Sequence, residues 1–120
     1  MDRKAVILLG HGSRDPLWRR PIEAVAQRLM EQHPALAVRC AYMELQPPDA
    51  RAAAAELASG GALQVTVVPM FLGTGKHARD DLPLLLESLR QAHPAVRFEL
   101  QPPVGEDPRV LDLLARIAAE

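Results

Sequence analysis

The sequence predicts an α/β fold: a four-stranded parallel sheet flanked by helices on both faces, in the order βαβαβαβα. Three observations carry this. Short apolar runs without polar alternation mark strands that are covered on both sides. Longer stretches with apolar residues at helical spacing lie between them. Proline and glycine punctuate the junctions. The 120 residues are one domain's worth, and 1–120 is read as a single domain.

The first strand is Lys4–Leu9, KAVILL. Gly10-His11-Gly12-Ser13 follows as a loop, and a glycine pair there permits an unusual turn or a close backbone approach. Asp15-Pro16 reads as a helix start, with Asp as N-cap and Pro in the first turn. That helix sets Ile22, Val25, Ala26, Leu29 and Met30 on one face and ends at His33-Pro34. Val38–Met43 is the second strand. Pro47-Pro48-Asp49 opens an alanine-rich helix that Gly60-Gly61 ends. Leu63–Val68, rich in β-branched residues, is the third strand. Pro69–His77 reads as a loop, and Asp80, Asp81 and Pro83 mark the next helix start. Leu82, Leu85, Leu86 and Leu89 form its stripe, and His93-Pro94 closes it. Val96–Leu100 is the fourth strand. A last helix runs from about Pro108, with Val110, Leu113, Leu114 and Ile117 expected to face inward.

Composition excludes several classes of function. A net charge of -1 gives no basic surface for nucleic acid, and 3% aromatics leave few platforms for stacking bases. Membrane-spanning length and a signal-peptide core are both missing from the apolar runs. The single cysteine, Cys40, has no internal disulfide partner and suits a reducing compartment, so a cytoplasmic location is expected. In its strand it reads as a small core residue rather than a reactive thiol.

Right-handed crossovers put every strand's C-terminal end on one edge, where open α/β sheets bind ligands. Chemistry-bearing residues gather there. His11 follows strand one, Glu44 follows strand two, and Lys76 and His77 follow strand three. His33 and His93 differ: each ends a helix, where an imidazole meets the last carbonyls, and both read as structural. Two histidines and a carboxylate suit a first-row divalent metal, and imidazole alone does not choose which. The four-ligand spacing of a structural zinc site is not present. On spacing alone, two surface histidines and a strand-ending glutamate explain the pattern equally well.

The motifs LLGHGSRDP, AYMELQPPD and VVPMFLGTGKHARDDLP, taken together, resemble the CbiX-type sirohydrochlorin chelatases in their small, single-domain form. The resemblance runs from the first strand to the third helix; after Leu100 no motif contributes. It implies half of a two-domain class II chelatase fold, and so a homodimer with its site facing the cleft between subunits. It implies insertion of a divalent metal into sirohydrochlorin without ATP or an organic cofactor. Co2+ leads, with Fe2+ or Ni2+ as alternatives, in cobalamin or siroheme biosynthesis. By the same resemblance His11 and His77 are the metal-binding and catalytic histidines, and Glu44 matches an acidic position of related chelatases.

Sirohydrochlorin is a flat macrocycle rimmed with carboxylates. Ser13, Arg14, Lys76 and Arg79 stand near the motifs and are candidates to bind those groups. Ser13 can instead cap its own turn. Met70, Phe71 and Leu72 are candidates for an apolar floor, or for core packing at a strand end. Arg19 and Arg20 read as solvated helix residues, and Trp18 as a cover for the cleft or the dimer interface, or an exposed helix position. Two rivals stay open. A phosphoryl-transfer enzyme with a nucleophilic histidine would carry arginine immediately before that histidine, where this chain has Gly10. A non-catalytic metal or tetrapyrrole binder would keep both histidines.

Overall fold

The computed structural model describes residues 3–120. Four strands form one sheet: β1 (Lys4–Gly10), β2 (Ala37–Tyr42), β3 (Gln64–Pro69) and β4 (Arg97–Leu100). All pairings are parallel, and the order is β2-β1-β3-β4. Four helices alternate with them: α1 (Arg20–Gln32), α2 (Ala50–Ser59), α3 (Lys76–Ala92) and α4 (Pro108–Ala119). The expected α/β architecture is therefore the observed one. None of the described helices is long and apolar enough to cross a membrane.

The strand pattern follows from where each strand sits. β1 is central, so both of its faces are covered and Ile7, Leu8 and Leu9 are all buried. Ile7 and Leu9 point to one core with Val65, Val67 and Phe98, roofed by α2 and α3. Leu8 points the other way, to a smaller core with Val38, Tyr42 and the α1 residues Ile22 and Ala26. Helix α2 buries Ala50, Ala53, Ala54 and Leu57, spaced at helical intervals. The small alanines let its axis lie close to the sheet.

Three helix readings need correction. Helix α1 starts at Arg20, not at Asp15-Pro16. Asp15 caps a separate turn: its carboxylate accepts from the Leu17 N–H at 2.9 Å, and its carbonyl accepts from the Trp18 N–H at 3.1 Å. Proline in the first helical turn is Pro21 instead. The buried face of α1 is also narrower than expected, because Val25 and Met30 are exposed.

Helix α3 starts at Lys76, so Lys76 and His77 lie in its first turn rather than in a loop. Pro83 is inside the helix, on its solvent side. There the carbonyl it leaves without an N–H partner can bond to water. The sequence signal for the earlier start is Ala78, which buries one turn before Leu82 and lengthens the stripe. The third correction concerns α4. It buries none of its side chains, and Leu113, Leu114 and Ile117 face solvent rather than inward.

Helix capping yields two checks. The Asp49 carboxylate accepts from the Ala52 N–H at 2.8 Å and caps α2. Asp49→Ala is expected to lower unfolding free energy by about 1 kcal/mol, read from urea melts. Asp107 caps α4 and also pairs with Arg109, whose side chain and backbone N–H hold its carboxyl at about 2. A lowered carboxylate stabilises the fold above the ordinary value of 3.8, and that contribution is lost as pH falls through about 2. Carboxyl-carbon NMR should therefore titrate Asp107 near 2; a midpoint at 3.8 would contradict the pairing.

Candidate functional site

The order β2-β1-β3-β4 makes the C-terminal ends of β1 and β3 the switch point of the sheet. Helix α1 leaves on one face and α3 on the other, which opens a crevice between them. His11 stands at the end of β1. Its position is set by three neighbours. The carbonyls of Gly10 and His11 accept from the N–H groups of Met43 and Glu44, both at 3.0 Å, tying this loop to the end of β2. Gly12 has φ +107, and a Cβ there would collide with the Glu44 carbonyl oxygen. Only glycine fits both demands. Lastly, the His11 ring stacks on Phe71, with centroids 3.9 Å apart and planes 18° apart.

Glu44 is exposed and leads a tight turn. Leu45 takes φ 69, and the Gln46 N–H donates to the Glu44 carbonyl at 2.9 Å, a γ-turn geometry. Left-handed backbone at a leucine is uncommon and stores strain beside a candidate site. The Gln46 side chain then reaches back and accepts from the Ser13 N–H at 3.1 Å. The loops after β1 and β2 are thus stitched into one unit.

His77 comes from the other side of the crevice, in the first turn of α3. It is exposed, and the helix is anchored beneath it by buried Ala78. A cleft of about 250 Å³ is lined by His11, Glu44, Lys76, His77 and Asp81, among others. The three residues predicted from separate strand ends therefore meet at one cleft. They do not form a closed cage: among the described residues, no group of three His, Cys, Asp or Glu side chains could hold a metal ion. Such an arrangement offers imidazole and carboxylate donors to an incoming cation while leaving its remaining positions free.

Asp81 is the cleft residue that sequence reading used only as a helix signal. It lies four residues after His77, one helical turn on, and also lines a neighbouring cavity of about 350 Å³ with Tyr42 and Arg51. Its signal in the sequence is the four-residue spacing from His77 within a helix that starts at Lys76.

The remaining predicted residues divide. Phe71 is 1% exposed, so it is no floor for a ligand; it belongs to the core and backs His11. Met70 packs against the α1-side core. Leu72, by contrast, is 67% exposed. The Ser13 hydroxyl oxygen accepts from the Asp15 N–H at 3.0 Å and so caps its own turn. Arg14 is exposed at the same edge. Lys76 pairs with Asp80 at 2.9 Å, and Arg79 donates to the Thr74 carbonyl at 3.1 Å. Both are exposed, and these two pairings lie within the start of their own helix. Trp18 lies in the turn before α1, edge-on to Tyr42. Arg19 pairs with Glu23 on the surface of α1. His33 and His93 sit at the C-caps of α1 and α3, as expected. Cys40 is half-buried, and burial, then nearby Glu23, pushes its thiol above the ordinary value. A raised thiol is a poor nucleophile, in keeping with a packing role.

Fold and edge define a class: an open parallel α/β protein with two histidines and a glutamate at the edge where such sheets bind ligands. Comparison with known proteins narrows it. The chain belongs to the CbiX family, whose sequence pattern matches residues 5–120. A sirohydrochlorin cobaltochelatase from Methanopyrus kandleri is 38% identical over 82 residues, which cover 68% of this chain and 57% of that protein. A sirohydrochlorin ferrochelatase from Bacillus subtilis is 27% identical over 109 residues, covering 91% of this chain and 42% of that one. The chain thus spans about half the length of these two curated relatives. Among solved structures, a CbiX protein from Marinobacter aquaeolei VT8 superimposes with a TM-score of 0.83 at 34% identity, covering 97% of this chain and 94% of that one. The sirohydrochlorin chelatase SirB from Bacillus subtilis subspecies spizizenii, in complex with cobalt, gives 0.81 at 26% identity, covering 97% of this chain and 49% of that one.

Proposed function

We propose that this chain is a sirohydrochlorin chelatase that inserts a divalent cation into the macrocycle without ATP. Co2+ is the leading substrate metal, with Fe2+ and Ni2+ as alternatives, in cobalamin or siroheme biosynthesis. The observation that carries the reading is the meeting of His11 and His77, from opposite sides of the crevice, at one open cleft. The names of the relatives supply the substrate: cobaltochelatase, ferrochelatase and a cobalt-bound chelatase.

Insertion demands that the metal shed water and that the macrocycle lose its two pyrrole protons. Neutral imidazole is both a metal ligand and a proton acceptor, with an unperturbed pKa of about 6.5. His11 and His77 hold the incoming ion, and one of them takes a pyrrole proton. Glu44 ligates, accepts the second proton or orients a histidine. Transfer of the ion to the macrocycle nitrogens is favoured because two imidazoles hold it without enclosing it. Arg14, Lys76 and Arg79 are exposed at this edge to meet the carboxylates of the substrate. The apolar face falls to exposed Leu45 and Leu72 in place of Phe71.

A homodimer completes the site. SirB chains are about twice as long as the part this chain matches, which leaves room for a second domain opposite the cleft. A cytoplasmic location suits the unpaired thiol of Cys40.

The test is turnover. Purified protein is mixed with excess sirohydrochlorin and Co2+, Fe2+ or Ni2+, and the product is followed by absorbance. Several products per chain, formed faster than without protein, support the enzyme and rank the metals. One tightly held macrocycle per chain without acceleration would make the protein a carrier instead.

A further inference from the structure

Phe71, whose ring backs His11, is held by a stretch of chain beyond the last motif. After β4 the backbone returns over the end of β3. The Gln101 N–H donates to the Val67 carbonyl at 3.0 Å, and the Gly105 N–H donates to the Phe71 carbonyl at 2.9 Å. Gly105 is the middle residue of the 3-10 turn Val104–Glu106. That turn is closed by the N–H groups of Glu106 and Asp107, which donate to the carbonyls of Pro103 and Val104 at 2.9 and 3.1 Å. Pro102 and Pro103 stiffen the lead-in. One residue before Phe71, the Met70 N–H donates to the Leu9 carbonyl at 2.8 Å. The backbone at Phe71 is thus tied on one side to β1 and on the other to the turn after β4.

The approach at Gly105 is closer than a side chain permits. A Cβ there would collide with the Leu72 carbonyl oxygen and stand 2.7 Å from the Leu72 Cα. Both are backbone atoms, which cannot swing aside as the end of a side chain can. Gly105 is not in left-handed backbone, unlike Gly12, so the demand is for space alone. By contrast, a Cβ at Gly73 or Gly75 would meet nothing within 4 Å. The glycine-rich loop between Leu72 and α3 is therefore open on its own account, and the contact with Gly105 fixes where it begins.

We propose that Gly105 is a positioning residue for His11, acting through Phe71. This rests on His11 as a working group of the cleft and adds what holds it there. A side chain at 105 pushes the Leu72 peptide away and carries the Phe71 backbone with it. The Phe71 ring lies 3.9 Å behind the imidazole, with planes 18° apart. A gap of about 1 Å forfeits up to about half of such a dispersion contact. The buried ring cannot recover it by sliding, because its core is close-packed.

The stack has a signature that does not depend on activity. A ring face shields protons stacked on it, so the ring C–H protons of His11 should resonate upfield of those of His33. In Gly105→Ala, compared at the same pH, that upfield shift should collapse and kcat should fall by about 10- to 100-fold. The control Gly61→Ala is strained too, since Gly61 has φ +95, but it lies before β3 at the opposite edge of the sheet. It should keep both the shift and the rate. In a Phe71→Leu background, Gly105→Ala should lower kcat by no more than about twofold further, because the path is already cut. A Gly105→Ala protein that keeps the shift, or a double variant whose losses multiply, would overturn the proposal. A wild type that inserts no metal would overturn the chelatase reading, and the ring shift would then decide this inference alone. The unaltered protein supplies a measurement that needs no folded variant. NMR coupling across the hydrogen bond, from the Gly105 nitrogen to the Phe71 carbonyl carbon, is expected; a freely exchanging Gly105 amide without it would overturn the proposal.

Discussion

His77→Ala is expected to lower the rate of metal insertion by about 10²–10⁴-fold, the range for loss of a proton-transfer group. The melting temperature should stay within about 4 °C of the wild type. The two expectations belong together. His77 is exposed in the first turn of α3, and the buried residue that anchors that turn is its neighbour Ala78. Removing the imidazole therefore deletes chemistry without opening the core. His11→Ala should match it in rate but not in stability, because the His11 ring is stacked on Phe71. A His77→Ala protein with wild-type insertion would mean that the cleft is not where the ion is handled. Initial rates at saturating sirohydrochlorin, with melting curves on the same preparation, decide it.

The second large effect is expected at Phe71. The ring is fully buried at the end of β3, among the core residues roofed by α2 and α3. Phe71→Ala removes most of that side chain and should destabilise the protein by about 3–5 kcal/mol, read from urea melts. The same ring forms the back wall of His11. Phe71→Leu keeps most of the volume and should stay folded, yet it loses the flat surface 3.9 Å behind the imidazole. In that variant kcat should fall while KM for sirohydrochlorin moves little, because the buried Phe71 does not reach the cleft surface. Unchanged kcat in a folded Phe71→Leu protein would show that the stack does not position His11.

Much of the fold was legible because its signals are local. β1 reads as buried from KAVILL alone, since a central parallel strand tolerates no polar alternation. His33-Pro34 and His93-Pro94 end their helices where the steric rule for the residue before proline says they should. The errors arose where a local signal met a tertiary one. Asp15-Pro16 has good capping chemistry, but Asp15 spends it on a short turn. Pro83 looks like a first-turn proline, yet the buried stripe begins at Ala78 and carries the helix through it. In α4 the spacing correctly gave an amphipathic helix. Spacing says nothing about what covers the stripe.

The site shows the same division. His11, Glu44 and His77 are legible as neighbours from their strand-end positions, because parallel topology brings all such positions to one edge. Phe71 was misplaced because its motif neighbours Leu72 and Gly73 are at the surface, and sequence cannot tell which side of a strand end a ring turns to. Asp81 was missed through the shifted helix start. Gly12 reads as permissive from its type alone; the Glu44 carbonyl beside it is the particular reason, and a contact between two loops leaves no local mark in the sequence.

The most direct test of the central claim is the ligand shell of the incoming metal. X-ray absorption of the Co2+-loaded protein, without macrocycle, should show two imidazole nitrogens at about 2.1 Å, the usual metal–imidazole distance. Both should be lost in His11→Ala/His77→Ala. A cobalt shell with no imidazole, or one unchanged in the double variant, would contradict the claim that these two histidines receive the ion.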